Sequence, residues 1–300
     1  MQPDTGSHDL TDQYARVMER LSKLPPFRPA SLKLLAVATD GYSAMDDFAK
    51  IFTADPAMAA DLLLVANSME FGSRSRIETI RHALSLLGLE RVRSLASTIA
   101  VSAAVHQASR ESVRPLWLHS IATAVIAEKL GVIHDMPGVY TAALVHDLGR
   151  LGLLSAGRDR YDAVLLTAFE DIEESNRLER SLFGMDHCKA GAFLSEKWGF
   201  PISLQVAMSA HHETVAMSPQ RKLVRIACCL ADSLGFPEVM LRDPDLSEAQ
   251  CRQAGLSPDA VRDEIALRMA TLGEEVPAAE IAGRAGEPRR VRSGMIPVPV

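Results

Sequence analysis

Residues 138–150 read GVYTAALVHDLGR. This apolar run ends in two polar side chains, His146 and Asp147, which are followed by Gly149. Imidazole and carboxylate groups are costly to bury unless they are paired, hydrogen-bonded or bound to a metal ion. The pattern therefore predicts a helix over 138–147 whose end carries both groups, with Gly149 loosening the backbone there.

Similar polar residues recur in other apolar segments of the chain. They are spread over roughly 110 residues, so they can meet only if several helices pack around one point. The candidate metal ligands are His119, His146, Asp147, His187, His211, His212 and Asp232. Other histidines (His8, His82 and His106) and the second His-Asp pair, His134-Asp135 in a polar turn, are interpreted as ordinary surface or core residues.

These residues suit metal chemistry. His119, His146, Asp147 and Asp232 would make a four-ligand site, and His187 with His211 or His212 would allow a second ion bridged by Asp147. Mixed histidine and carboxylate ligation favours Fe, Mn or Zn over Ca. Two ions about 4 Å apart can activate water and neutralise a phosphate. The alternative is a hydrogen-bonded polar cluster that holds the helices in register without a metal.

Composition favours an all-α fold and excludes several classes of protein. The chain has 300 residues, 47% of them hydrophobic and only 5% aromatic, and Ala and Leu are strong helix formers. A net charge of −6 argues against nonspecific nucleic-acid binding, which needs a basic surface. No charge-free apolar stretch reaches about 18 residues and no signal peptide is visible, so we expect a cytoplasmic protein without a membrane span. The four cysteines form no CxxC pair and indicate reduced thiols rather than a cysteine-type zinc site.

Helical spacing of apolar residues predicts a two-lobed bundle. The predicted domains are an N-terminal helix at 1–20, an N-terminal lobe at 21–110, a second lobe at 111–240, a helical extension at 241–272 and a flexible tail at 273–300. A hinge is predicted at Glu111–Pro115, and one acidic, exposed helix over Tyr161–Arg180. The individual helices are predicted at 9–21, 29–38, 46–54, 57–67, 77–87, 89–104, 116–130, 138–147, 185–198, 202–212, 221–234 and 258–272.

Several motifs together resemble the HD-related output domain, or HDOD. In the first lobe these are LPP at 24–26, Asp55-Pro56, Asn67-Ser68 and the segment from Ile80 to Gly88. In the second they are WLHS at 117–120, LVHDLG at 144–149, Asp186-His187, WGFP at 198–201 and HHE at 211–213. The resemblance covers roughly residues 20–235 and implies an all-helical fold derived from the HD metal-dependent phosphohydrolases.

The resemblance to HD hydrolases carries over unevenly. The first His, the His-Asp pair and the later Asp correspond to His119, His146-Asp147 and Asp232, and His187 with His211-His212 resembles the extra ligands of the HD-GYP branch. Arg150 stands where that branch has Lys; it keeps the charge and is the candidate phosphate clamp. The branch's Asp-Gly-x-Gly-Tyr-Pro signature is replaced by TVAMSP at 214–219, and a glutamate found in trinuclear sites is replaced by Pro115. Cyclic-di-GMP hydrolysis is therefore not expected.

Two functions follow from this resemblance. The first is a bacterial signalling or regulatory module that acts through contacts with a signalling protein, with a His/Asp pocket able to bind metal. The second is a metal-dependent phosphohydrolase acting on a nucleotide or another phosphate-containing small molecule. The expected contact surfaces are the acidic residues Glu170–Glu174 and the C-terminal tail. The oligomeric state is left open by the sequence.

Overall fold

The computed structural model describes residues 5–68, 77–105, 110–213, 217–241 and 246–271. The predicted all-α fold is confirmed, since helices dominate the described part of the chain. The predicted tail at 273–300 and the first three residues of the TVAMSP segment, 214–216, lie outside the described residues.

The described residues up to 105 form six helices of 8 to 18 residues. Helix α4 begins after Asp55, whose carboxylate accepts hydrogen bonds from the backbone N–H groups of Ala57 and Met58, as the Asp55-Pro56 pair predicts. Helix α2 packs its buried Leu34, Leu35 and Ala38 against α6. The helices are α1 (Thr5–Ser22), α2 (Pro29–Thr39), α3 (Met45–Ala54), α4 (Pro56–Ser68), α5 (Ile80–Leu87) and α6 (Leu89–Val105).

The second half is built around one long helix, α7, which contacts α8, α14 and α16. The helices are α7 (Arg110–Ile133), α8 (Val139–Val145), α9 (Leu148–Ala156), α10 (Arg158–Leu166), α11 (Ile172–Phe183), α12 (His187–Lys197), α13 (Ile202–Ala210), α14 (Pro219–Ser233), α15 (Glu248–Gln253) and α16 (Pro258–Thr271). Two short strands, β1 (Ala168–Phe169) and β2 (Met240–Leu241), pair in parallel, Ala168 with Met240 and Phe169 with Leu241.

The hinge predicted at Glu111–Pro115 is wrong. Helix α7 continues through these residues, and Pro115 lies inside it. Proline removes one backbone hydrogen bond. Here the neighbouring side chains Val113, Leu116 and Trp117 are buried, and their packing outweighs the local preference for a break.

The single helix predicted over Tyr161–Arg180 is also wrong. Helix α10 ends at Leu166, the chain becomes extended in β1, and α11 begins after Asp171. The Asp171 carboxylate accepts a hydrogen bond from the backbone N–H of Glu174 and so caps a new helix. Acidic residues therefore lie in the first turn of α11, where the helix dipole favours negative charge.

Two glycines bring the helices around residues 146–150 into close contact. A Cβ atom at Gly149 would lie 2.0 Å from the carbonyl oxygen of His187, and one at Gly191 would lie 2.9 Å from the carbonyl oxygen of Met208. Helix α12 therefore packs closely against α9 on one side and α13 on the other. This spacing lets the start of α12 and the end of α13 approach the His146-Asp147 pair.

Helix α7 is also the most membrane-like helix among the described residues. Val113–Ile133 is long and apolar enough to cross a membrane, but 78% of its most apolar 18-residue stretch is buried within the fold. Core helices meet the same criteria of length and composition, and α7 is surrounded by α8, α14 and α16.

Candidate metal centre

Residues far apart in the sequence meet beside α7. His119 lies on α7 and Asp232 on α14, and their Nδ1 and Oδ1 atoms are 3.5 Å apart. The Nε2 atom of His119 lies 3.3 Å from that of His146, just after α8. The structure therefore brings together the first His, the His-Asp pair and the later Asp of the sequence-predicted set.

Asp147 lies at the middle of the cluster. Its Oδ1 atom is 3.1 Å from His211 Nε2 and 3.4 Å from His187 Nε2, and its Oδ2 atom accepts a hydrogen bond from Arg150 Nε at 3.0 Å. His212 Nε2 in turn lies 3.1 Å from His187 Nε2. The two predicted groups of ligands therefore form one continuous cluster that shares Asp147.

Each of three histidine rings is held in place through its Nδ1 atom. The Nδ1 atoms of His119, His146 and His211 lie 2.8, 2.6 and 3.0 Å from the backbone carbonyls of Phe236, Ala143 and Ala207. A carbonyl oxygen only accepts, so in a neutral ring Nδ1 carries the proton and Nε2 keeps a lone pair. These three Nε2 atoms all face other members of the cluster. This is the arrangement in which an outer partner orients a metal-ligating histidine.

His187 has a carboxylate in the same outer position. Glu179 Oε2 accepts hydrogen bonds from His187 Nδ1 at 2.7 Å and from the His187 backbone N–H at 2.8 Å. Burial would raise the pKa of Glu179, but His187 and Arg150 outweigh it and lower that pKa. Glu179 therefore carries a negative charge that fixes the tautomer and orientation of His187.

Arg150 lies within the protein rather than at an open surface. Its side chain has no solvent exposure and donates to Asp147 Oδ2, to Glu179 Oε1 at 2.7 Å and to the Tyr161 hydroxyl at 3.2 Å. A third carboxylate is also close: Glu238 Oε1 lies 3.7 Å from Arg150 Nη2. The guanidinium thus compensates several buried carboxylates at once.

The electrostatics of the cluster differ between its members. Burial would lower the pKa of His187 and of His211, but Glu179, Cys188 and Asp147 outweigh it, so the pKa of His187 is raised well above its usual range and that of His211 to about 9, and these rings would release a proton on binding a cation. Burial lowers the pKa of His146 to about 3, so this ring is neutral at physiological pH. Burial would raise the pKa of Asp147, but Arg150, His146 and His187 outweigh it and hold the pKa well below its usual range. Burial and the neighbouring Glu238 raise the pKa of Asp232 well above its usual range, whereas His119 and Arg150 outweigh burial and lower the pKa of Glu238, so Glu238 is the more readily ionised of the two.

The residues present fit a divalent cation. Several buried polar atoms have no directed hydrogen bond among the described residues, namely Asp147 Oδ1, His211 Nε2, Asp232 Oδ1 and both carboxylate oxygens of Glu238. Two sets of donors, His146/Asp147/His211 and His119/Asp147/Glu238, each have their ligand atoms within 4.8 Å of one another. A bound cation would satisfy these atoms and balance the carboxylate charge.

Sequence reasoning missed several members of the cluster. Glu179 was assigned to an exposed acidic helix, although it lies one helical turn before the buried Phe183, a spacing that predicts a shared face. Glu238 stands between Phe236 and Val239, both buried, and an acid among apolar residues was a usable signal. Cys188 and Cys228 also lie beside the histidines, with Cys228 Sγ 3.6 Å from His119 Nε2. Burial would raise the pKa of Cys188, but His211 and His187 outweigh it and lower that pKa to about 6.

A protein-family model matches most of the chain. The model of the HDOD domain matches residues 24–214. The chain belongs to the HDOD family. The match includes helices α2 to α13, whereas Cys228, Asp232 and Glu238 lie beyond it.

Solved structures share the HDOD fold. An HDOD domain protein of unknown function from Geobacter sulfurreducens is 22% identical, with a TM-score of 0.65 over 88% of this chain and 98% of that one. A candidate signal transduction protein from Marinobacter aquaeolei VT8 is 20% identical, with a TM-score of 0.62 over 94% of this chain and 68% of that one. A candidate phosphohydrolase from Shewanella amazonensis SB2B is 20% identical, with a TM-score of 0.60 over 89% and 97% of the two chains.

A curated relative adds no assigned activity. An uncharacterized protein from Treponema pallidum (strain Nichols) is 23% identical over 206 residues, which are 66% of this chain and 39% of that protein. The matched region thus spans well under half of the relative's length.

Proposed function

We propose that this HDOD protein is a regulatory module that acts through protein contacts, and that its His/carboxylate cluster holds a divalent metal ion as a structural or sensory element. The observation that supports this proposal most strongly is the burial of the cluster's side chains. His119, His146, Asp147, His187 and His211 are each at most 3% exposed. A phosphohydrolase needs room beside its metal for a phosphoester and a water molecule. This packed arrangement favours an ion that ties helices together.

The contacts of Arg150 support the same conclusion. A phosphate clamp needs free N–H groups facing the substrate. The Arg150 side chain is instead buried, with Nε and Nη1 bonded to Asp147, Tyr161 and Glu179. Its Nη2 has no directed hydrogen bond among the described residues and lies 3.7 Å from Glu238 Oε1, so it faces another carboxylate rather than an open pocket. Binding a phosphate there would require these contacts to be broken and the released carboxylates to be compensated.

A metal ion would connect three separate parts of the fold. His146 and Asp147 lie between α8 and α9, His187 starts α12 and His211 follows α13. The ion supplies positive charge and directed bonds to these residues, and mixed histidine and carboxylate ligands suit Fe, Mn or Zn. Its occupancy would therefore alter the packing of α12 and α13.

Helix α13 offers a route from the cluster to a signalling partner. Ile202 is 72% exposed and Val206 is 38% exposed, one turn apart on the helix that ends at His211. Exposed apolar side chains at this spacing suit a protein contact. A partner bound to this face would respond to changes in the position of α13.

Metal analysis with a matched variant tests the proposal. The purified protein should contain a stoichiometric transition metal that is lost in His146→Ala/Asp147→Ala. The control His134→Ala/Asp135→Asn alters the other His-Asp pair, which is exposed, and should keep the metal. Neither the wild type nor the variants should hydrolyse bis(p-nitrophenyl) phosphate.

The alternative is a metal-dependent phosphohydrolase acting on a phosphate-containing small molecule. It is favoured by the two donor sets that share Asp147, because such sharing is what a pair of bridged ions needs. Hydrolysis by the wild type that disappears in His146→Ala/Asp147→Ala, but not in the control, would establish this alternative and overturn the regulatory proposal.

A further inference from the structure

A thiol lies at one end of the cluster. Cys188 is the second residue of α12 and directly follows His187. Its Sγ atom lies 4.0 Å from His211 Nδ1, and it belongs to a group of four donors, His187, Cys188, His211 and His212, whose ligand atoms all lie within 4.8 Å of one another. Four donors of this kind match the coordination number of protein-bound Zn²⁺.

Two of these donors already lie close to the spacing of a tetrahedral site. Bond lengths of about 2.0 Å to nitrogen and about 2.3 Å to sulfur place neighbouring ligand atoms roughly 3.3–3.6 Å apart. The Nε2 atoms of His187 and His212 are 3.1 Å apart. For the sulfur and the His211 ring to share one coordination sphere, that ring would have to exchange its Nδ1 contact with the Ala207 carbonyl, or its Nε2 contact with Asp147, for the ion.

Two further contacts prepare the set for an ion. Glu179 accepts the Nδ1 proton of His187 and leaves its Nε2 lone pair facing His212. Cys188 is the second residue of α12, and a helix N-terminus stabilises a thiolate. Cys188 and His212 are also the partly exposed members of the set, so this end of the cluster gives an ion a way in from solvent.

We infer that Cys188 is a thiolate ligand of the metal centre and that, together with His187, His211 and His212, it selects Zn²⁺ over Mn²⁺. The inference rests on the proposed metal centre and identifies the ion at its His187–His212 end, beside Asp147, whose Oδ1 lies 3.4 Å from His187 Nε2 and 3.1 Å from His211 Nε2. The thiol proton passes to solvent as the Zn–S bond forms, and no electrons are transferred. Thiolate is a soft ligand, which Zn²⁺ accepts readily and Mn²⁺ does not.

Substitution with Co²⁺ makes the thiolate visible. The full-length protein, stripped of metal and titrated with Co²⁺, should show a near-ultraviolet thiolate-to-cobalt charge-transfer band together with the visible bands of a tetrahedral ion. Cys188→Ser should lose the charge-transfer band and bind Zn²⁺ at least tenfold more weakly. Cys251→Ser is the matched control, since Cys251 is buried on α15 and belongs to no donor group among the described residues.

The possible outcomes separate the inference from the proposed function. Stoichiometric Co²⁺ binding without a charge-transfer band would overturn the thiolate ligand and leave the metal centre standing. A band that survives in Cys188→Ser and disappears in Cys228→Ser would show that the thiolate ligand is Cys228, beside His119. That result would also overturn the inference. Failure to bind either Co²⁺ or Zn²⁺ would overturn both. If Cys188→Ser does not fold, cadmium nuclear magnetic resonance of the wild type distinguishes sulfur from all-nitrogen ligation.

Discussion

Arg150 compensates carboxylates that have no contact with water. Asp147 and Glu179 are both buried and both bonded to its guanidinium. Removing one partner of a buried ion pair leaves an uncompensated charge. We therefore expect Arg150→Met to lower the free energy of unfolding by about 3–5 kcal/mol at neutral pH, as measured by urea denaturation.

An exposed ion pair provides the control for Arg150. Arg158 is 46% exposed beside Asp162, and Arg158→Met should change the free energy of unfolding by less than about 0.5 kcal/mol. Equal effects of the two substitutions would show that the Arg150 contacts do not stabilise the fold.

At the scale of single residues, the sequence predicted which side chains belong to the candidate site better than it predicted which side chains they contact. A histidine or aspartate in an apolar helix is visible as an anomaly, which is how His119 and Asp232 were found. Their distance of 3.5 Å depends on how α7 and α14 pack, which no local pattern contains. Glu179 was missed because the charged Arg177 and Arg180 lie close to it in the sequence. Its hydrogen-bond partners Tyr161 and His187 lie on α10 and α12, which its own segment does not reveal.

Gly149 determines how closely α9 and α12 approach. A methyl group there would meet the backbone of His187 and Gly191, which cannot rotate away. We expect Gly149→Ala to lower the free energy of unfolding by about 3 kcal/mol or more, measured by thermal or urea denaturation. Gly152→Ala on the same helix should cost less, roughly 1–2 kcal/mol, because the Cβ atom there meets the flexible tips of Leu194 and Leu21. The reverse order of the two losses would contradict this account.

Asp55 makes the stability of α4 depend on pH. The backbone N–H of Met58, with Arg28 and the N–H of Ala57, lowers the pKa of Asp55 despite its partial burial. A carboxyl group with a lowered folded-state pKa stabilises the protein fully above its unfolded value, near 3.9, and loses that contribution as the pH falls through the lower folded value.

The Asp55 cap can be measured by comparing two variants. Asp55→Ala should cost about 1 kcal/mol at neutral pH, and the difference from wild type should shrink as the pH falls below about 4. Asp55→Asn keeps an acceptor for the backbone N–H groups, so it should cost less at neutral pH. A loss in Asp55→Ala that is constant between pH 7 and pH 2 would exclude a role for the charge.

Local signals explain which helices were predicted well. The Asp55-Pro56 pair and Ser257, whose hydroxyl accepts from the backbone N–H of Ala260, both mark true helix starts. Pro115 was misread as a hinge because proline usually breaks a helix, whereas burial of its neighbours keeps α7 intact. Helices α9 and α15 were not predicted, since both are short and neither has a long apolar repeat.

The whole molecule extends beyond the part that matches the HDOD family. Helix α1 lies before residue 24, yet it packs against α9, α11 and α12, the elements that carry Arg150, Glu179 and His187. Asp232 and Glu238 lie after residue 214 and complete the cluster from the other side. The family domain and its flanking segments thus build the candidate centre together.

A substitution at Leu21 tests whether α1 stabilises the helices around the cluster. Its side chain is fully buried near Gly152 on α9, so Leu21→Ala should cost about 2–5 kcal/mol of stability through the cavity that it leaves. Native-state hydrogen exchange should then accelerate more in α9 and α12 than in α4 and α5, because α1 contacts the former helices. Leu64→Ala, at a side chain that is 69% exposed, should leave both exchange and stability nearly unchanged. Uniform acceleration in all four helices would mean that the chain unfolds as one cooperative unit, and α1 would then have no particular coupling to the elements around the cluster.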